Sequence, residues 1–154
     1  MDTLLARIRD AARRDTETHW FDVATTDTVS FVEQSLNITL PDILKRCYTE
    51  ISNGGFGPSY GLTGLPGGYD SSWGDLVQST LELRKLDDCD EGWLPLFDFG
   101  CAEVLCVDID DDLIMVTSIE GEFHHEDYDL TELLDHWCND EIPDLRSGAF
   151  RRLT

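Results

Sequence analysis

Basic residues are scarce in this sequence: 11 lysines and arginines stand against 32 aspartates and glutamates, for a formal net charge of −21. They are also unevenly spread, with none between Leu86 and Leu145. That stretch lacks the cations that release phosphate counterions, which excludes a nucleic-acid interface built on it. It favours a basic partner instead, although a negative surface also serves solubility alone. Long apolar runs are missing as well. Leu4, Leu5 and Ala6 give way at once to Arg7 and Arg9, so no signal-peptide core is expected, and nowhere do 18 apolar residues occur together. The expectation is a soluble, cytoplasmic protein with no membrane partner. Paired cysteines are absent too: Cys47, Cys89, Cys101, Cys106 and Cys138 are odd in number with no C-x-x-C, and three of them fall on apolar faces. Reduced thiols are expected.

What is present suffices for a core: 41% of the 154 residues are hydrophobic and 10% aromatic, without repeats or low-complexity tracts. A single domain over 1–154 is expected. Periodicity predicts an amphipathic helix over 3–14 capped by Asp2 or Thr3, and a second from near Asp27 carrying Val29, Val32 and Leu36. A third follows Pro41 and carries Ile43, Leu44, Cys47, Tyr48 and Ile51. A fourth is predicted from the Ser72–Asp75 pair to about Arg84, and a last is capped by Asp129 with Glu132. Between the last two, WLPLFDF, AEVLCVDI and LIMVTSIE read as an antiparallel meander, with GEFHHEDY as a further strand. The order describes an α+β domain rather than alternating βαβ units.

The glycine-rich stretch SNGGFGPSYGL, Ser52 to Leu62, raises the question of a phosphate cradle. A dinucleotide fingerprint needs a strand before it and a helix after it, and here a predicted helix precedes and a β-like segment, Tyr60 to Leu65, follows. The spacing of the glycines after Gly55 and Gly57 also fails, and no Lys-Ser or Lys-Thr pair completes a P-loop. Asn53, Gly54 and Gly55 read instead as left-handed residues closing the third helix.

Few constellations carry chemistry. Asp108, Asp110, Asp111 and Asp112 mark a strand-to-strand turn that reads as a loose divalent-ion site, an ordinary polar turn or a contact surface; Leu113 and Ile119 occupy the places an EF-hand gives to Gly and Glu. His124 and His125 are adjacent on a predicted strand and point to opposite faces, which disfavours a shared zinc. No G-x-S-x-G elbow occurs, and acidic surroundings push thiols away from nucleophilicity. A carboxylate pair acting as acid and base has no specific support among 32 acids. No catalytic, metal or cofactor-binding residue is assigned, and an enzyme is not expected.

Taken in order, Leu40-Pro41, the third helix, Asn53-Gly54-Gly55, the turn into YGL, Trp93 with LPLFDFG and the acidic hairpin strands resemble the SUKH superfamily over roughly Thr26 to Trp137. That superfamily includes fungal cell-wall-synthesis regulators and bacterial immunity proteins. The resemblance implies a central, mostly antiparallel sheet flanked by helices. It makes Pro41, Asn53, Gly54, Gly55, Gly57, Pro58, Gly61 and Trp93 marks of the fold rather than of chemistry. It implies no shared catalytic set, and a protein partner: a cognate toxin, such as a nuclease, with a basic active-site cleft. On exposure and charge, the residues expected to meet it are Asp87, Asp88, Asp90 and Glu91, with Asp108, Asp110, Asp111 and Asp112. The other reading is a non-catalytic regulatory or scaffold module.

Overall fold

Leu5, Ile8, Ala11 and Ala12 recur at helical spacing and are buried on one face of helix α1 (Asp2–Arg14). The computed structural model describes residues 1–153. Neither Asp2 nor Thr3 caps α1, because the helix begins at Asp2 itself. The Asp2 carboxylate instead accepts from Arg46 Nη1 at 2.5 Å, and the same guanidinium grips Glu50 at 2.6 Å through Nε. These charge-assisted bonds hold both carboxyls below the ordinary carboxylate range. Helix α2 (Thr26–Leu36) starts one residue earlier than its spacing suggests, since Thr25 Oγ1 accepts from the Thr28 N–H at 3.1 Å; Asn37 closes it in the left-handed region.

Pro41 precedes helix α3 (Asp42–Arg46) as its cap residue, and the helix continues through a π turn over Cys47–Ile51. The Ser52 N–H bonds the Cys47 carbonyl at 3.2 Å, so an extended Ser52, rather than the asparagine and glycines after it, ends the helix. The left-handed residues come next, Gly54 at φ 82° and Gly55 at φ 86°, and press the chain against its neighbours. A Cβ on Gly55 would lie 2.0 Å from the His19 carbonyl oxygen, and one on Gly54 2.6 Å from that of Leu62. Asn53, buried between, accepts from the Leu65 N–H at 2.8 Å through Oδ1 and donates to the Leu65 carbonyl at 3.3 Å through Nδ2. The predicted β-like segment from Tyr60 to Leu65 reduces to one bridge, Leu62 with Phe97.

Helix α4 (Leu76–Leu83) is capped by Asp75, not Ser72. The Asp75 carboxylate accepts from Gln78 N–H while the Gln78 side chain accepts from Asp75 N–H, both at 3.0 Å. Ser72 instead donates to the Asp98 carboxylate at 2.6 Å. Strands β1 (Trp93–Gly100), β2 (Glu103–Asp108), β3 (Ile114–Ile119) and β4 (Glu122–Asp129) form the antiparallel meander in that order. One face of the sheet sends Leu94, Leu105, Val107 and Met115 into the main core with α1, α2, α3 and helix α5 (Leu130–Cys138). The other puts Trp93, Val104, Cys106 and Val116 under Leu83 of α4. Burial on both faces explains why the first three strands read as near-continuous apolar runs. As expected from its sequence, α5 is capped by Asp129, whose carboxylate accepts from the Glu132 N–H at 2.9 Å. The tail then forms a hairpin that no sequence signal announced, β5 (Glu141–Pro143) with β6 (Phe150–Arg152). The architecture is α+β.

Gly55→Ala combines left-handed strain with a collision against fixed backbone and is expected to lose at least about 3 kcal/mol in urea unfolding. Gly67→Ala has a similar φ of 91° but open space around the new Cβ, and should lose only about 1–2 kcal/mol. Equal losses would mean that close approach at Gly55 is not what selects glycine there.

Candidate functional site

Strand pairing brings the two acidic segments to one end of the sheet. Trp93, the first residue of β1, pairs with Asp108, the last of β2, and the Ile109 N–H donates to the Gly92 carbonyl at 2.9 Å. The turn from α4 into β1, with Asp87, Asp88, Asp90 and Glu91, therefore lies against the β2–β3 turn carrying Asp110, Asp111 and Asp112. Contact is close at Gly92, where a Cβ would stand 2.3 Å from the Asp110 carboxylate. All seven of these acidic residues are exposed. A cleft of about 450 Å³ opens between the turns and the α2–α3 connection, with Ile38 and Ile109 as its apolar surface and Glu91 and Asp110 at its rim.

Asp108 behaves differently, and its expected exposure is corrected by the structure. Only 6% of it is accessible. Its Oδ2 accepts from the Trp93 indole N–H at 3.0 Å and its Oδ1 from the Asp110 N–H at 3.0 Å, so the carboxylate holds the sheet end together instead of facing a partner. Trp93 in turn packs against Phe123, with ring centroids 4.8 Å apart, and edge-on to His125 at 5.5 Å. Sequence reasoning gave Arg84 and Gly92 no role in this region. Arg84 Nη2 donates to the Leu36 carbonyl at 2.9 Å and to the Glu91 carbonyl at 3.0 Å, tying the acidic turn to the end of α2. A basic residue at the border of an uninterrupted acidic stretch was the available signal for it.

The cations nearest the cluster offset only a small part of its charge. Arg84 keeps its positive charge while bonded to the Leu36 and Glu91 carbonyls, and Lys85 pairs with Glu82 at 2.7 Å. Elsewhere His125 turns toward Trp93 while His124 approaches Glu122 at 3.9 Å on the strand's other side. Among the described residues no three His, Cys, Asp or Glu side chains converge as a metal site requires. All five cysteines are free thiols. Burial pushes Cys47 up to about 12 and raises Cys89, Cys106 and Cys138 above the ordinary thiol range, the wrong direction for a nucleophile. No described helix is long and apolar enough to cross a membrane.

The model of the SMI1/KNR4 family (SUKH-1) matches residues 23–137, more than half of the chain. The chain belongs to the SMI1/KNR4 (SUKH-1) family. A comparison with curated proteins gives no match. The SUKH proteins include toxin immunity proteins and are generally non-catalytic. The matched residues span α2 to α5, so they contain the acidic end of the sheet and the Asn53 region, but not α1 or the β5–β6 hairpin.

Trp93→Phe removes the indole donor and leaves a buried carboxylate with one partner fewer, so it is expected to lower stability by about 1–3 kcal/mol. Asp111→Asn, on the exposed turn, should stay within about 0.5 kcal/mol of the parent. Urea unfolding of both variants checks this; a Trp93→Phe protein as stable as the parent would show that Asp108 needs no indole.

Proposed function

We propose that this SUKH-1 protein is a cytoplasmic, non-enzymatic immunity protein that binds and blocks a cognate toxin domain carrying a basic active-site cleft, such as that of a nuclease. The observation that supports this reading is the joining of two separate acidic segments into one exposed, strongly negative surface beside a largely polar cleft that Ile38 and Ile109 help to line. An active site that grips phosphates presents fixed cations. Asp87, Asp88, Asp90, Glu91, Asp110, Asp111 and Asp112 meet such cations with carboxylates in place of phosphates, and Ile38 and Ile109 add apolar contact that water cannot replace. Electrostatic steering toward the opposite charge raises encounter rates by about 10 to 10³-fold at low salt. Asp108 contributes from behind, by fixing the turn's geometry.

Affinity capture from the native lysate and secretome, eluted by raised salt, identifies the partner. Stopped-flow association with that partner then supplies the test. Replacing Asp87, Asp88, Asp90 and Glu91 with Lys is expected to slow association by about 10 to 10³-fold and flatten its salt dependence, and replacing Asp110, Asp111 and Asp112 should do the same. Unchanged rates and salt slopes would remove the acidic surface from the mechanism, and capture of only housekeeping or envelope proteins would favour the scaffold reading.

A further inference from the structure

β4 ends the sheet, and on the side away from β3 it pairs with nothing. Among the described residues, no backbone hydrogen bond of Phe123 to Tyr128 leads anywhere except to β3. The opposite edge is covered: beside β1 the chain bridges Leu62 to Phe97, and the Thr63 N–H donates to the Leu96 carbonyl at 2.8 Å. A groove of about 410 Å³ accompanies β4, with Glu122, His124, His125 and Glu126 on the strand side and Arg146 and Gly148 on the side of the β5–β6 turn. Adjacent strand residues point to opposite faces. Glu122, His124 and Glu126 alternate along the strand and so share a face, and Ile119 of β3 lines the groove with them, so the groove lies on a face of the sheet beside the free edge.

An unpaired edge invites a further strand, and charge decides which strand. β4 contains Glu122, Glu126, Asp127 and Asp129 and no lysine or arginine. Two copies of this strand side by side would set carboxylates against carboxylates, which destabilises the pair. The same carboxylates favour a strand bearing Lys or Arg. Arg146 does not cancel them, because it is paired with Glu103 at 2.7 Å.

We propose that the outer edge of β4 is a strand-addition site that accepts an extended basic segment of a partner protein as a fifth strand. The segment's backbone continues the ladder, and its cationic side chains lie near the exposed carboxylates of Glu122 and Asp127. This site is distinct from the acidic turns and does not require that the partner be a toxin.

A short peptide of alternating Arg and Val is the probe, titrated at physiological salt and followed by amide hydrogen exchange and NMR shifts. Two further peptides of the same charge carry backbone N-methyl groups on one edge or on the other. The site predicts slowed exchange of outward-facing β4 amides and at least about tenfold weaker binding for one methylated form but not the other, since only one edge can join the ladder. Glu122→Lys with Asp127→Lys should weaken binding about tenfold, whereas Asp87→Lys with Asp88→Lys should leave it unchanged; all four positions are exposed, and circular dichroism verifies the fold. Equal binding of both methylated peptides, or protection confined to the 87–91 and 110–112 turns, would overturn the proposal and leave charge attraction alone.

Discussion

The side-chain amide of Asn53 stands in for a strand's peptide group, bonding both backbone groups of Leu65, while the Asn53 backbone carbonyl accepts from the Tyr69 N–H at 3.0 Å. Around it the chain is packed backbone on backbone. A Cβ on Gly64 or Gly68 would stand 2.5 or 2.2 Å from the Asn53 carbonyl oxygen. One turn earlier in the helix, the Tyr48 hydroxyl donates to the Thr63 carbonyl at 2.6 Å. The next link starts α4, since the Leu76 N–H donates to the Gly64 carbonyl at 2.8 Å. The end of α3, the loop beside β1 and the start of α4 thus share one buried polar centre. Each of its groups costs about 1–3 kcal/mol if left unpaired, and the acidic turn at the far end of α4 takes its position from that anchorage.

At the acidic end, carboxylates divide by direction. Asp108 faces inward, where two N–H donors compensate its burial. Its neighbours face water, and their mutual repulsion opposes bringing the two turns together. Antiparallel pairing of Trp93 with Asp108, the Ile109–Gly92 bond and the Arg84 latch on Glu91 oppose that repulsion. A surface whose like charges are held together by strand pairing and a single cationic latch retains free energy that an oppositely charged partner releases on binding. That is the physical sense in which the fold presents the surface rather than merely tolerating it.

Periodicity made the helices and the meander legible, because Val29, Val32 and Leu36, or the runs from Trp93 to Ile119, bury the faces their spacing marks out. Caps were less legible, since Ser72 and Asp75 are both acceptable by type and only the Gln78 side chain decides between them. The β5–β6 hairpin escaped because strands of three residues carry no period; what stabilises it is tertiary, Phe150 stacking on His136 with centroids 3.7 Å apart. Composition gave the acidic segments, but their meeting depends on β1 beginning where β2 ends. The inward turn of Asp108 depends on an indole fifteen residues away across a strand pair, which no local pattern encodes.

Hydrogen–deuterium exchange of the protein with and without its captured partner shows whether the joined acidic turns are a docking surface. Exchange is expected to slow on complex formation over 86–92 and 109–113. Unchanged exchange in both turns, with protection confined to α1 or the β5–β6 hairpin, would contradict it.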